Sequence, residues 1–356
     1  MRVNYNPMDR RYDIDWIRVV VLGLLIFYHA WCSFMPFAKL IYMPQNKDFL
    51  FNMGIPMSLI NIWRIPILFM ISGMGIFFAM QRRNWKEMLK DRNKRIGIPM
   101  VFGFLFVGPL VIFFSLLYYK EELVWYPNLN HLWFLFNILI YFYLLLPIFT
   151  FIKNRPDNFI KRTLQSILSY RFGIYLFAIP FLLEVLVVDP QDYPSYANSL
   201  HGWVLGLICF ITGYVFVSLK DYFWNSLNRV KGISLLIAFS LYMFRFLFME
   251  LWAPNTFIAF ESFNWMIAIL GYSAKYLNQP SKRLRYLSSA VYPIYIIHMP
   301  IQYFFCLYIL PLPISAPIKF FLLVLCVFGV SFTIYESMIK RVNWLKPFFG
   351  IKMKGS

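Results

Sequence analysis

Ten long apolar runs, each close to the length of a membrane-spanning helix, constrain this chain more than any other feature of its sequence. A helix needs about 20 consecutive apolar residues to cross a bilayer, and these runs are continuous, unlike the alternating segments of a transmembrane β-strand. Only 14% of the residues are charged, against about a quarter in soluble domains. We therefore predict an all-α integral membrane protein, a bundle of about ten transmembrane helices. The predicted spans cover residues 16–37, 55–80, 96–118, 131–152, 171–188, 200–219, 232–250, 256–274, 287–310 and 314–338.

The basic residues predict the orientation of the bundle. With the N-terminus in the cytoplasm, 28 of the 34 Lys and Arg residues fall in cytoplasmic segments, and only three fall in loops on the opposite side. Cytoplasmic loops carry such an excess, which explains the net charge of +18 without a nucleic-acid partner. We predict that both termini are cytoplasmic, with a short N-terminal segment (1–15), a polytopic membrane domain (16–338) and a basic tail (339–356).

The cysteines provide no framework for a disulfide or a metal site. All four lie inside apolar runs, without a Cys-x-x-Cys pair or a nearby histidine at metal-ligand spacing. Cysteines in such surroundings are typical small hydrophobic side chains. The sequence therefore predicts no metal site and no permanently bound cofactor.

Ionisable side chains inside the predicted spans are the strongest functional signal, because such residues are rare in membranes and are mostly functional. At 1.5 Å per residue, five of them lie about 16–20 Å from the cytoplasmic ends of their spans. A shared depth predicts a polar cavity in the bundle. Two simpler explanations stay open: an interhelical hydrogen bond for each histidine, and an ion pair between the acidic residue and one arginine. The five residues are His29, Arg64, Glu184, Arg245 and His298.

Arg18 and His29 have a spacing that places them on one helical face. Eleven residues at 100° per residue rotate the helix by a total within about 20° of three full turns. The two side chains therefore project from the same side of the helix, about 16.5 Å apart along its axis. Asp15 precedes Arg18 by three residues and is expected to orient its guanidinium. The predicted stripe runs from a cation at the membrane surface to an imidazole deep in the span. A simpler role for Arg18 is that of a cytoplasmic anchor.

Four sequence motifs, in order along the chain, resemble those of the acyltransferase-3 family of integral membrane acyltransferases. The first is DIDWIRVVVLGLLIFYHA (13–30), with its Arg and His separated by ten residues. The others are WRIPILFMISGMG (63–75), HLWFLFNILIYFYLLLP (131–147) and VYPIYIIHMP (291–300). The combination is most similar to the branch that contains bacterial glucan succinyltransferases. Residues 153–285 match no motif of the family that we recognise.

The resemblance implies a function at the bacterial cytoplasmic (inner) membrane. It implies that acyl-CoA is a cytoplasmic co-substrate and that the acyl group passes to a hydroxylated acceptor across the bilayer, commonly a glycan. The family's Arg and His of the first span correspond to Arg18 and His29, and its second-span Arg corresponds to Arg64.

These positions suggest a mechanism. His29 is expected to act as the general base on the acceptor hydroxyl, and Arg64 to stabilise the oxyanion or to bind a carboxylate of the acyl group. Arg18 and Arg95, together with the other basic residues of the 82–95 loop, are expected to hold the CoA phosphates. The remaining candidate substrate-binding residues are His131, Trp133, Glu184, Arg245 and His298.

Several alternatives stay open at the level of sequence. Cys32 or Ser33, one turn beyond His29, would serve as a nucleophile in a covalent mechanism. A multi-pass transporter of a small polar or anionic solute would use the same midplane charges, and a haem carrier would use His29 and His298 as its ligands. His131 and His201, which begin predicted spans at the outer surface, suit either the entry of the acceptor or a plain interfacial position, and Trp133 suits an interfacial aromatic belt.

Overall fold

The computed structural model describes residues 10–155 and 158–351. Every regular element in that part of the chain is a helix. The chain divides into two compact units. The first unit consists of residues up to Ile17 together with Ser58–Leu89 and Asn137–Ser281. The second unit consists of Arg18–Met57, Lys90–Phe136 and the described residues from Lys282 onward.

The helices of the described residues confirm the predicted all-α membrane bundle, with nine of the ten predicted spans long enough to cross a membrane. In the described residues, nine segments are long and apolar enough to cross a membrane, and a tenth apolar segment, Gly173–Val188, is shorter. It is short as an α-helix because its first six residues form a 3₁₀-helix, Gly173–Ala178. The nine segments are Tyr12–Cys32, Phe51–Met80, Trp85–Tyr119, Asn130–Asn154, Leu200–Ser218, Asp221–Phe248, Asn255–Tyr276, Lys282–Ile309 and Ala316–Ile339.

The α-helices are numbered in chain order. They are α1 (Tyr12–Cys32), α2 (Gly54–Met80), α3 (Trp85–Arg92), α4 (Ile98–Phe102), α5 (Gly108–Tyr119), α6 (Trp133–Asn154), α7 (Phe159–Ser169), α8 (Ile179–Val188), α9 (Leu200–Ser218), α10 (Asp221–Phe248), α11 (Asn255–Tyr276), α12 (Lys282–Ile309) and α13 (Ala316–Ile334). Further 3₁₀-helices are Lys39–Ile41, Phe51–Met53, Asn130–Leu132 and Lys346–Phe349, and π-helical turns are Asn93–Gly97, Gly103–Val107 and Tyr335–Ile339.

The third span is not a uniform α-helix. Two π-helical turns flank the short helix α4, and each is followed within two residues by a proline, Pro99 or Pro109. Proline removes a backbone donor from a helix. Because the bilayer offers no hydrogen-bond partners, the backbone groups left over must bond within the protein, and a locally wider turn lets them do so. The prolines therefore explain where this span departs from α-helical geometry.

Close contact between α2 and α9 organises the first unit. A Cβ atom added to Gly73 would overlap the carbonyl of Phe210, and one added to Gly213 would overlap the carbonyl of Met70. Small residues let helix backbones approach in this way inside membranes. In the ISGMG motif the close approach is made at Gly73, and the hydroxyl of the neighbouring Ser72 donates to the carbonyl of Leu68 at 2.7 Å.

In the second unit, α12 packs against both α5 and α13. Two prolines, Pro293 and Pro300, lie inside α12. Each leaves the carbonyl four residues earlier without its helical donor. The consequence of Pro300 is seen directly in the candidate site.

Candidate functional site

Three of the four histidines of the chain lie together in the second unit, and His29, His298 and His131 are called the histidine cluster below. His29 Nδ1 lies 3.0 Å from His298 Nε2. Their rings are parallel to within 4°, with centroids 5.3 Å apart. This separation equals the 3.0 Å between the two nitrogens plus the distance from each nitrogen to the centre of its own ring. The rings are therefore nearly coplanar and edge to edge, so the N–H of one points along the lone pair of the other. His298 is 0% exposed, whereas His29 is partly exposed.

The positions of the protons in this pair follow from a backbone carbonyl. His298 Nδ1 lies 2.7 Å from the carbonyl oxygen of Tyr295. Because a carbonyl only accepts, His298 Nδ1 carries a hydrogen, its Nε2 is the acceptor in the neutral ring, and His29 donates from Nδ1. A protonated His298 would bury a full charge in a ring with no exposure, which is costly. The pair therefore leaves Nε2 as the unprotonated, basic nitrogen of His29.

Pro300 explains why α12 offers carbonyl oxygens to a histidine. The carbonyl of Ile296, four residues earlier, has lost its helical donor. His131 Nε2 takes that place, 3.1 Å from the Ile296 oxygen and 3.2 Å from the Tyr295 oxygen. The ring of His131 stands edge-on to His298, with centroids 5.1 Å apart at 82°. His131 is only 8% exposed, so it belongs to the buried cluster.

Polar residues at every fourth position of α12 extend the contact with α1. Gln302 Nε2 donates to the carbonyl of His29 at 2.8 Å and lies 3.4 Å from Ser33 Oγ. Ser33 Oγ lies 3.7 Å from Cys306 Sγ. The His29 carbonyl is one of the last four of α1, which have no donor within the helix. Gln302 therefore caps the end of α1 at the residue whose imidazole contacts His298, one turn earlier on α12.

The second unit also contains the predicted donor-binding residues. Helix α1 is continuous from Arg18 to His29, so both side chains project from one helical face. Arg95 forms an ion pair with Asp91 at 3.0 Å, with its side chain 40% exposed. Trp133 is the first residue of α6 and is partly exposed.

A second proline-freed carbonyl lies in the first unit. Pro66 interrupts α2, so the carbonyl of Ile62 has no helical donor. It accepts from Tyr196 Oη at 2.9 Å and from Ser262 Oγ at 2.8 Å. The two units thus satisfy the same kind of backbone defect with side chains.

The predicted residues Arg64 and Asp15 have partners within the first unit. Arg64 on α2 is 2% exposed and donates to Asn61 Oδ1 at 3.0 Å. Asp15 accepts two hydrogen bonds from Arg10, at 2.9 and 2.7 Å. The proposed roles of both residues in catalysis or binding stay predictions.

Glu184 is paired with a histidine. His201 Nδ1 lies 2.8 Å from Glu184 Oε1, and His201 Nε2 lies 2.9 Å from the carbonyl oxygen of Tyr193. Glu184 is 4% exposed and His201 is 2% exposed. One proton lies between Nδ1 and Oε1. Whether this proton resides on the nitrogen or on the oxygen, the pair as a whole has no net charge. In the adjoining loop, burial raises the pKa of the Tyr193 and Tyr196 phenols, so both remain neutral.

Arg245 is paired with a carboxylate on the neighbouring helix. Its Nε lies 2.9 Å from Glu261 Oε2, and its second nitrogen, Nη2, lies 3.2 Å from Glu261 Oε1. The pair is fork-like, the strongest geometry for these groups, and is almost fully buried. The alternative ion pair between Glu184 and Arg245 is therefore wrong. Helix α11, which packs against α10, supplies a nearer acid.

Sequence reasoning missed two residues that matter here. Glu261 is a carboxylate within a predicted span, and this signal alone was enough to include it with the other ionisable residues. Gln302 is polar and follows His298 by four residues, so the helical period places both on one face. The pairing of His201 with Glu184 was not predicted either, because the two residues are 17 positions apart and no motif links them.

The geometry also bears on the alternative mechanisms. Among the described residues, the Ser33 hydroxyl contacts Cys306 and Gln302 rather than the ring of His29, and Cys32 is 3% exposed. All four cysteines are free thiols. His29 and His298 are hydrogen-bonded directly to each other, whereas two axial haem ligands would face an iron from opposite sides.

The five ionisable residues of the predicted layer fall in different units. His29 and His298 lie in the second unit, and Arg64, Glu184 and Arg245 lie in the first. Within each unit every one of them has a polar partner. A single polar cavity shared by all five stays a prediction.

Comparison with known proteins gives a consistent result. Residues 11–336 match the acyltransferase-3 protein family, described as an acyltransferase domain. Proteins named glucans biosynthesis protein C from Escherichia coli strains SMS-3-5, K12 and O81 (strain ED1a) are each 25% identical to this chain, and each match covers 98% of this chain and 97% of the relative. No solved structure matches the chain significantly.

Proposed function

This chain belongs to the acyltransferase-3 family and is a multi-pass membrane acyltransferase, and we propose that it transfers an acyl group from cytoplasmic acyl-CoA to a hydroxyl of a glycan across the bilayer. The acyl group is of the acetyl or succinyl type. The membrane is the bacterial cytoplasmic (inner) membrane. The name of the similar Escherichia coli proteins refers to glucans, which supports a glucan as the acceptor.

One observation carries the mechanistic part of the proposal. His29 lies within a membrane span, is partly exposed, and is held by the buried His298 so that its Nε2 is unprotonated. An imidazole in this state is a general base at neutral pH. The neighbouring hydroxyl and thiol groups of Ser33 and Cys306 contact each other instead, which supports direct transfer over an acyl-enzyme.

The reaction then proceeds by direct attack. His29 Nε2 takes the proton of the acceptor hydroxyl while its oxygen bonds to the thioester carbonyl carbon. The tetrahedral adduct collapses with cleavage of the carbon–sulfur bond, and the proton on Nε2 passes to the departing CoA thiolate. The products are an ester and free CoA, and His29 returns to its neutral form.

The donor end of the site is assigned to basic residues. Arg18 lies on the same face of α1 as His29, about 16.5 Å away along the helix, so a phosphate held there leaves room for the pantetheine arm. Arg95 in the 82–95 loop adds a second, partly exposed guanidinium. Guanidinium groups suit phosphates because their fork matches two oxygens at once. The role of Arg64 in stabilising the oxyanion is part of the same proposal and rests on its place in the family motif.

The deciding experiment uses the purified full-length protein in lipid nanodiscs. Acetyl-CoA or succinyl-CoA is supplied with a soluble β-glucan, free thiol is measured, and the glucan is analysed by mass spectrometry for ester groups. We expect thiol release that depends on glucan and equals ester formation. A transporter that performs no transfer would release no thiol and leave the glucan unmodified, and this result with both donors would refute the proposal.

A further inference from the structure

We infer that His298 is a positioning residue that sets the tautomer of His29, so that the basic nitrogen of His29 is Nε2. The inference rests on the proposed role of His29 as the base. It adds a second residue on another helix, which acts through His29 and does not itself gain or lose a proton during transfer.

The first step is the anchoring of His298. Its Nδ1 donates to the carbonyl of Tyr295, three residues earlier on the same helix, at 2.7 Å. This short bond fixes both the orientation of the ring and the nitrogen that holds the hydrogen. His298 is 0% exposed, and the edge-on ring of His131 packs against it. The His298 ring therefore has one available acceptor, Nε2, in a fixed place.

The second step is the transmission to His29. A neutral imidazole has its hydrogen on either nitrogen, and the hydrogen bond made by one nitrogen decides which. His29 Nδ1 lies 3.0 Å from the acceptor Nε2 of His298, in the plane of both rings. The hydrogen of His29 is thus held on Nδ1. When Nε2 takes a proton, the same bond stabilises the imidazolium, as the orienting carboxylate does in a Ser-His-Asp triad.

The third step is the support of this geometry from the backbone. Gln302 holds the carbonyl of His29 at 2.8 Å, so α12 contacts both the side chain and the main chain of the same residue. His131, bound to the carbonyl freed by Pro300, packs edge-on against the ring of His298. Partners that orient a histidine ring in this way change activity by about 10–100-fold when removed from metal sites, and by more in a triad.

The test compares three substitutions on α12. His298→Ala removes the acceptor and is expected to lower kcat by about 10²–10³-fold with little change in the KM for acyl-CoA. His298→Gln keeps an acceptor oxygen near the position of Nε2 and is expected to recover kcat to within about tenfold of the wild type. Met299→Ala, at the adjacent buried position, is the packing control and is expected to leave kcat within about threefold.

A spectroscopic readout separates positioning from packing. The chain has only four histidines, so ¹⁵N-histidine labelling of the full-length protein in nanodiscs gives few resonances, and that of His29 is identified by its loss in His29→Ala. We expect the hydrogen of His29 on Nδ1 in the wild type and in His298→Gln, and on Nε2 in His298→Ala. An Nδ1 hydrogen that persists in His298→Ala, or a kcat that falls equally in Met299→Ala, overturns the inference.

This readout does not depend on the proposed reaction. If the wild-type protein transfers no acyl group to any glucan, the proposed function fails while the labelling experiment still decides whether His298 sets the tautomer. If transfer occurs and His29→Ala retains it, the base assignment fails and the positioning role fails with it, whatever the tautomer.

Discussion

The two units each contain a histidine in a close side-chain pair, and the pairs differ in the partner. His201 in the first unit directs one nitrogen at a carboxylate and the other at a carbonyl. His29 in the second unit directs Nδ1 at another neutral histidine. Oxygen atoms engage both nitrogens of the His201 ring, whereas His29 is held through Nδ1 by a nitrogen acceptor and keeps an unprotonated Nε2. Histidines in membrane spans therefore differ in role according to the acceptor they face.

The same contrast extends to the charged groups. In the first unit, Arg245 and Glu261 form a buried fork-like pair, which satisfies each charge locally. In the second unit, the histidine cluster is linked to carbonyl oxygens of α12. A closed ion pair is suited to holding helices together, and a chain of neutral donors and acceptors is suited to moving a proton at its exposed end. Four predictions test this contrast, from the largest expected effect to the smallest.

The first prediction concerns the exposed end of the cluster. His29→Ala should lower the kcat for acyl transfer by about 10³-fold, because it removes the general base, while the thermal unfolding midpoint changes little. Thiol release and ester formation are measured on protein that elutes as a single species in size-exclusion chromatography. His201→Gln, in the other pair, is the comparison variant, with activity per folded molecule expected to stay within about threefold. Equal losses in the two variants would contradict the distinction between the pairs.

The second prediction concerns the closed ion pair. Arg245→Met should destabilise the protein by about 3–5 kcal/mol, because it leaves the Glu261 carboxylate buried without its partner. Thermal and denaturant unfolding in detergent measure the loss. The double variant Arg245→Met/Glu261→Met should recover much of it, since no isolated charge remains. A double variant no more stable than Arg245→Met would show that the pair does not act as a unit.

The third prediction concerns the cap on α1. Gln302→Leu should lower kcat by about 10–100-fold, because the carbonyl of His29 loses its side-chain donor and the base is held less firmly. Steady-state kinetics provide the measurement, and Ile301→Ala on the adjacent position is the control for packing. Unchanged kcat in Gln302→Leu would mean that the hydrogen bond from His298 positions His29 by itself.

The fourth prediction concerns the donor end. Arg18→Ala should raise the KM for acyl-CoA by about tenfold with kcat largely unchanged, as expected for the loss of one charge-assisted hydrogen bond to a phosphate. The KM of Arg18→Lys should lie between those of the wild type and Arg18→Ala, because lysine keeps the positive charge but lacks the forked guanidinium. Arg171→Ala removes an exposed arginine of the first unit and should leave the KM unchanged. If both alanine variants raise the KM equally, Arg18 contributes only to the general basic character of the chain.

The spans were predictable because their signal is local. Length and continuity of apolar residues are properties of one segment, and all ten predicted segments are helical in the described residues. Local signals did not predict that the third span alternates between α-helical and π-helical turns. Two prolines cause this change, but its form depends on the neighbouring backbone.

The candidate site was predictable in its residues and only partly in its contacts. Depth along a span identified His29 and His298 as unusual, and the spacing of Arg18 and His29 fixed their common face. Depth does not specify the direction in which a helix face turns, so an ion pair between Glu184 and Arg245 stayed open as an alternative and His131 was left with an interfacial one. Partner choice depends on the rotation and register of separate helices, which no single segment encodes.

The sequence by itself thus determined which segments lie in the membrane and which polar side chains are placed there, since both follow from the transfer of individual residues out of water. Only the tertiary structure decided which of those side chains meet. It joined His29 to His298 across 269 positions and used the carbonyl freed by Pro300 to hold His131. The physical reason is that a buried polar group must find a hydrogen-bond partner, and the helix that packs beside it, not its own sequence neighbours, determines which partner it finds.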